Sequence, residues 1–78
     1  MGKIKGWTKS NKVNKSMKEE RWDNDNSAVS ISIVYDGELW RLWLYDVFDD
    51  QGNELGSSKN KEVIRKLAIN YMRTNPNG

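Results

Sequence analysis

Ser27-Ala-Val-Ser-Ile-Ser-Ile-Val-Tyr35, Asp36-Gly37, Glu38-Leu-Trp-Arg-Leu-Trp-Leu-Tyr-Asp-Val-Phe48 is the stretch on which the fold turns. Two alternating runs flank an Asp-Gly pair, the residues that suit the positive φ angles of a two-residue hairpin turn. With Tyr35 paired to Glu38, Ile33 faces Trp40, Ile31 faces Leu42 and Val29 faces Leu44 on one side of the ribbon. The other side holds Val34 with Leu39, Ser32 with Arg41, Ser30 with Trp43 and Ala28 with Tyr45. Both sides therefore carry large side chains, and each needs a cover or a partner.

The cover for the first side lies downstream. Val63, Ile64, Leu67, Ala68, Tyr71 and Met72 recur with the 3.6-residue period of an amphipathic helix. Ser58 or Asn60 can cap its start, and Pro76 stops it near Arg73 or Thr74. On this wheel Ile69 falls among Glu62, Arg65, Lys66 and Arg73, away from the apolar stripe. Upstream, a short strand is expected around Lys18–Trp22, then a turn at Asp23-Asn24-Asp25-Asn26. Glu54-Leu55-Gly56 reads as a short return strand, and Gly6-Trp7-Thr8-Lys9 can open a first strand with Trp7 as an anchor. The expected fold is α+β: a meander of three or four antiparallel strands with one C-terminal helix on one face. Residues 1–18 read as a basic arm, mobile or an edge strand, and residues 19–78 as a single domain. Trp40, with Leu42 and Leu44, is expected to anchor the core, so that Trp40→Ala would be the most disruptive change in the hairpin.

Composition removes several function classes. The chain has 78 residues with neither cysteine nor histidine, so it lacks disulfides, thiolate or imidazole metal sites and imidazole-based catalysis. An enzyme would need paired carboxylates or an activated serine in a cleft that so small a domain scarcely forms. No catalytic residue, cofactor or metal is expected. Asp46, Asp49, Asp50, Asn53 and Glu54 do not follow the spacing of a calcium loop and read as a hairpin turn. Gly2 has the place of a myristoylated glycine, but Gly6 stands where serine or threonine is required. The longest apolar stretches, Leu42-Trp-Leu-Tyr45 and Ile33-Val-Tyr35, fall far short of the roughly 20 residues of a membrane span. The expectation is a cytoplasmic protein with no membrane contact.

Charge is segregated along the chain. Residues 1–18 carry six lysines and no acid, residues 19–56 carry ten acids against Arg21 and Arg41, and residues 57–78 carry five bases against Glu62. On the second hairpin face, Arg41, Trp43 and Tyr45 opposite Ser30 and Ser32 form an aromatic and basic platform of the kind on which sheet modules stack bases. Lys9, Lys12 and Lys15 would add phosphate affinity without sequence preference. Two readings stand: nucleic-acid binding through this face and the lysine-rich arm, or a homodimer or protein–protein contact through the same aromatic residues. Asp36, Glu38, Asp46, Asp49 and Asp50, at the platform's ends, weigh against a phosphate backbone there.

Gly6-Trp7, Trp22-Asp23-Asn24 and the ending Tyr71-Met72-Arg73-Thr74-Asn75-Pro76-Asn77-Gly78 resemble small uncharacterised archaeal proteins. That resemblance implies one small domain and brings no activity with it; the group is mostly acidic, and the lysine-rich arm departs from it. In topology, three strands followed by a helix resemble the integrase-arm type of DNA-binding domain. There the free sheet face enters the major groove, but it carries more arginine than the lone Arg41 of this hairpin.

Overall fold

A computed structural model describes residues 4–46 and 49–78. Its elements are β1 (Trp7–Ser10), a single 3-10 turn (Lys15–Met17), β2 (Glu20–Asn24), β3 (Val29–Tyr35), β4 (Trp40–Asp46), β5 (Asp49–Ser58) and α1 (Lys61–Thr74). The strands form one antiparallel meander in the order β1-β2-β3-β4-β5, and α1 lies across one face. The α+β class is as expected, with five strands in place of three or four. Val47 and Phe48, the end of the second expected run, lie outside the described residues.

The β3–β4 hairpin differs from its expected register by two residues. Tyr35 pairs with Trp40, Ile33 with Leu42 and Ile31 with Leu44. Asp36 is the cause. In the expected two-residue turn the Glu38 N–H would donate to the Tyr35 backbone carbonyl. Here the Asp36 carboxylate takes that N–H instead, at 2.9 Å, and the same oxygen accepts from the Leu39 N–H at 2.7 Å. The loop widens to residues 36–39, closed by the Asp36 N–H on the Leu39 carbonyl at 3.1 Å. The rings of Tyr35 and Trp40 then meet across the strands at 4.8 Å between centroids. Because side chains alternate with period two, a two-residue slip changes partners but leaves every residue on its expected face.

The core lies between the sheet and α1 and is made of Trp7, Trp22, Ile31, Ile33, Leu42, Ile64, Ala68 and Met72. Its main anchor is Trp7 on the edge strand, 1% exposed; Trp40 is only half-buried at the end of the sheet, as is Leu44. Trp7 is fixed where β1 meets the residues that follow α1. Its indole Nε1–H donates to the Asn75 carbonyl at 3.0 Å, and its ring meets Tyr71 edge-on at 6.3 Å. The Asn24 side-chain amide donates to the Pro76 carbonyl at 3.1 Å, and the Asp25 N–H donates to the Gly6 carbonyl at 2.7 Å. Gly6, at φ 84°, lies so close to Pro76 that a Cβ there would sit 2.0 Å from its carbonyl oxygen. Gly6, Trp7, Asn24, Asn75 and Pro76, drawn from the short motifs at both ends of the chain, thus form one structural stitch.

α1 begins at its Asn60 cap, whose side chain accepts from the Glu62 N–H at 3.0 Å. Its buried ridge is Ile64, Ala68 and Met72, spaced by four, with Ile69 and Tyr71 packed beside it. The helix is rolled relative to the expected stripe: Val63 and Leu67 are 46% and 43% exposed, while Ile69 turns inward. Lys61 lies on the inward-turned side. Its ammonium lies 2.9 Å from Glu20 Oε2 on β2, and the row one and two turns on, Arg65 and Ile69, follows it toward the sheet. Leu67 moves out over β5, beside Gly56. Glu20 also accepts from Lys9 of β1 at 3.2 Å, so one carboxylate joins β1, β2 and α1.

Two outcomes are expected. Trp7→Ala removes the anchor and should cost about 3–5 kcal/mol in urea unfolding, enough to unfold a domain of this size, whereas Trp40→Ala should cost about 1–2 kcal/mol. Burial pushes the Glu20 carboxyl up, but hydrogen bonds from Lys61 and Lys9 outweigh it and hold the pKa below the ordinary 4.5. Its contribution is therefore present in full above the ordinary value and is lost as pH falls through the lowered one. Glu20→Gln should destabilise by about 1 kcal/mol at pH 7, and the gap to the parent chain should close in acid, read from urea midpoints at pH 7 and pH 3.

Candidate binding face of the sheet

Opposite α1, alternation gives the sheet an outer face, and the register aligns its residues in rows across the strands. One row runs Arg21 (β2), Ser32 (β3), Trp43 (β4), Glu54 (β5). The next holds Asp23, Ser30 and Tyr45, and a third holds Val34, Arg41 and Ser57. Trp43 and Tyr45 stand two apart on β4, so their rings project together and stack, 6.3 Å between centroids with planes 24° apart. Tyr45 lies over Gly52, where a Cβ would come within 2.7 Å of the ring. Both rings are half-buried.

The serines beside them are committed. Ser32, 1% exposed, donates to Glu19 Oε2 at 3.0 Å. Ser30 donates to Asp23 Oδ1 at 2.7 Å and accepts from Arg21 Nη2 at 3.2 Å. Arg21 Nε also holds Asp23 Oδ1, at 2.9 Å. Burial raises the Asp23 pKa, but the hydrogen bonds from Ser30 and Arg21 bring it net below the ordinary carboxylate value. A carboxylate held that strongly in its charged form is a weak base for a neighbouring hydroxyl. Arg41 is tied at both ends, Nε to Asp36 Oδ2 at 2.6 Å and Nη1 to Glu54 Oε1 at 2.8 Å. Between the aromatic ridge and β2 lies a hollow of about 650 Å³, lined by Arg21, Asp23, Ser30 and Tyr45 among others.

Of the residues expected to bind, Arg41, Trp43, Tyr45, Ser30 and Ser32 do share this face. Lys9 does not: it lies on the α1 side, paired to Glu20 and 5.5 Å above the Trp22 ring. Trp7 must point into the core, and with period two Lys9 points the same way. Lys12 and Lys15 stand exposed in the β1–β2 connection. Glu19, Arg21, Asp23 and Glu54 complete the outer face and were not singled out from the sequence. The alternation Glu19-x-Arg21-x-Asp23 was their visible signal. A second aromatic group also escaped notice. On the α1 side, Lys61 sits 5.0 Å over the Trp40 ring and Lys18 5.5 Å over Tyr35.

Among the described residues no three acidic side chains converge as a metal site, and no helix is long and apolar enough to cross a membrane. The Asp49 and Asp50 side chains of the sequence's acidic cluster lie outside what the structure describes. Comparison with protein-family models, with curated proteins and with solved structures found no match for this chain.

Backbone donors from Leu39, then the Arg41 guanidinium and the Glu38 N–H, hold the Asp36 carboxyl down to about 2 from the ordinary 3.8. A depressed carboxyl supports the fold above its ordinary value and loses that support as pH falls through the lowered one. The Glu38 and Leu39 amide resonances should therefore titrate together with a midpoint near 2, and Asp36→Asn should abolish that transition.

Proposed function

We propose that this chain is a small non-enzymatic binding module that docks a protein partner through the outer face of its sheet, with the stacked Trp43 and Tyr45 as anchor. One observation carries the reading: both arginines of the face, Arg21 and Arg41, are already held by carboxylates, Asp23, Asp36 and Glu54. With Glu19 added, acids outnumber bases on this face, and a phosphate backbone laid across it would meet net negative charge. A protein surface makes the opposite demand. A half-buried aromatic ridge framed by paired charges is the pattern of an interface hot spot with a polar rim.

The nucleic-acid reading of the same face loses its lysines as well as its arginines. Lys9 lies on the other side of the sheet, and Lys12 and Lys15 belong to a connection rather than to the platform. Catalysis has no support from the serines, whose hydroxyls are spent on the Asp23 and Glu19 carboxylates.

The test uses the Trp43 indole N–H resonance and retention of partners from cell extract on immobilised protein. A single-stranded oligonucleotide at low salt should leave the Trp43 resonance in place. Trp43→Ser should abolish protein retention, and Lys12→Ala with Lys15→Ala should not. Oligonucleotide binding that shifts the Trp43 resonance and weakens steeply with salt would overturn the proposal.

A further inference from the structure

The outer face is complementary to itself, and we infer that its partner is a second copy of this chain; this rests on the reading of the face as a protein-docking surface. In a face-to-face pair the two-fold axis lies between the sheets. Run along the strands, above the line between β3 and β4, it carries each β4 over the β3 of the other copy and each β5 over the other's β2. The row Arg21, Ser32, Trp43, Glu54 then maps onto its own reverse. Trp43 falls on Ser32 of the second copy, and Glu54 falls on Arg21 of the second copy. Each contact occurs twice.

The row of Tyr45 agrees. Tyr45 is carried over Ser30 of the second copy, beside the hollow of about 650 Å³ that Arg21, Asp23 and Ser30 help to line. A large ring thus meets a small residue and a concavity. Aligned sheet packing keeps strand directions within about 30°, so the match is best in the central row, where the complementary charges are.

A large-to-small order across β3 and β4, together with opposite charges at the two ends of the same row, is what an isologous contact requires. A surface built for an unrelated protein has no need of either. The molecule measures 33 × 29 × 21 Å, and its broad face is large enough to bury about 800 Å² per partner, the standard for a stable complex.

Sedimentation equilibrium from micromolar to millimolar concentration tests this, with circular dichroism to confirm that each variant is folded. The parent chain should dimerise, and Trp43→Ser should be monomeric. Arg21→Glu places acid against Glu54, and Glu54→Arg places base against Arg21, so each variant alone should associate about tenfold more weakly or worse. Mixed in equal amounts, the two should associate as tightly as the parent, since every crossing pair is again of opposite sign. A parent chain that remains monomeric at millimolar concentration overturns the inference. If Trp43→Ser still abolishes retention of another protein in that case, the docking reading itself survives. A dimer indifferent to Trp43→Ser, or folded charge variants that fail to rescue one another, overturns the inference as well.

Discussion

The burial of Trp7 is the constraint on which the rest of the structure depends. It sits on a strand of only four residues at the edge of the sheet, yet its side chain is almost wholly withdrawn from water. Its indole donates to the Asn75 carbonyl just beyond the helix, which draws the two ends of the chain together. A buried tryptophan has one polar group to satisfy, and the Asn75 carbonyl, which also accepts from the Gly78 N–H, has a second lone pair to offer it. Once β1 and the residues after α1 are joined there, Gly6 must pass against Pro76 with no room for a side chain, and Asn24 closes the same junction from β2.

From that junction the two faces of the sheet take their separate characters. Alternation along β1 sends Lys9 to the side of Trp7, where it shares Glu20 with Lys61 of the helix. Cations over Trp22, Trp40 and Tyr35 then cluster on the α1 side. The outer face receives the alternate residues of β2, β3, β4 and β5, and its two arginines are paired within the face, where acids stay in excess. The charge segregation seen along the chain is thereby redistributed in space. The acidic middle of the sequence supplies partners for its own two arginines, while Lys9 and Lys18 lie on the α1 side and Lys12 and Lys15 in a connection.

Which residues are strand, which are helix and which side of the ribbon each one occupies were legible from the hairpin and the helix. These depend on local periods of two and 3.6 residues, and they survived a change of register because an even slip preserves sidedness. The grouping of Arg41, Trp43, Tyr45, Ser30 and Ser32 was legible for the same reason. Less visible were the Asp36 carboxylate taking the Glu38 N–H, which moved every cross-strand partner by two, and the roll of α1, which exchanged Leu67 for Ile69 against the core. Glu19 and Asp23 were in plain view, alternating with Arg21 at the start of β2, but nothing local shows which strand they will pair with.

By itself, then, the sequence determined the α+β class and the face of each hairpin residue, because backbone geometry forces both at short range. Only the tertiary structure decided that Trp7 and not Trp40 is the anchor, that Lys9 turns away from the platform, and that Arg21, Ser32, Trp43 and Glu54 form one row. Each of those is a contact between segments distant along the chain. It is set by which strands become neighbours and by the shared need to bury large rings and pair charges, a need no single segment can meet alone.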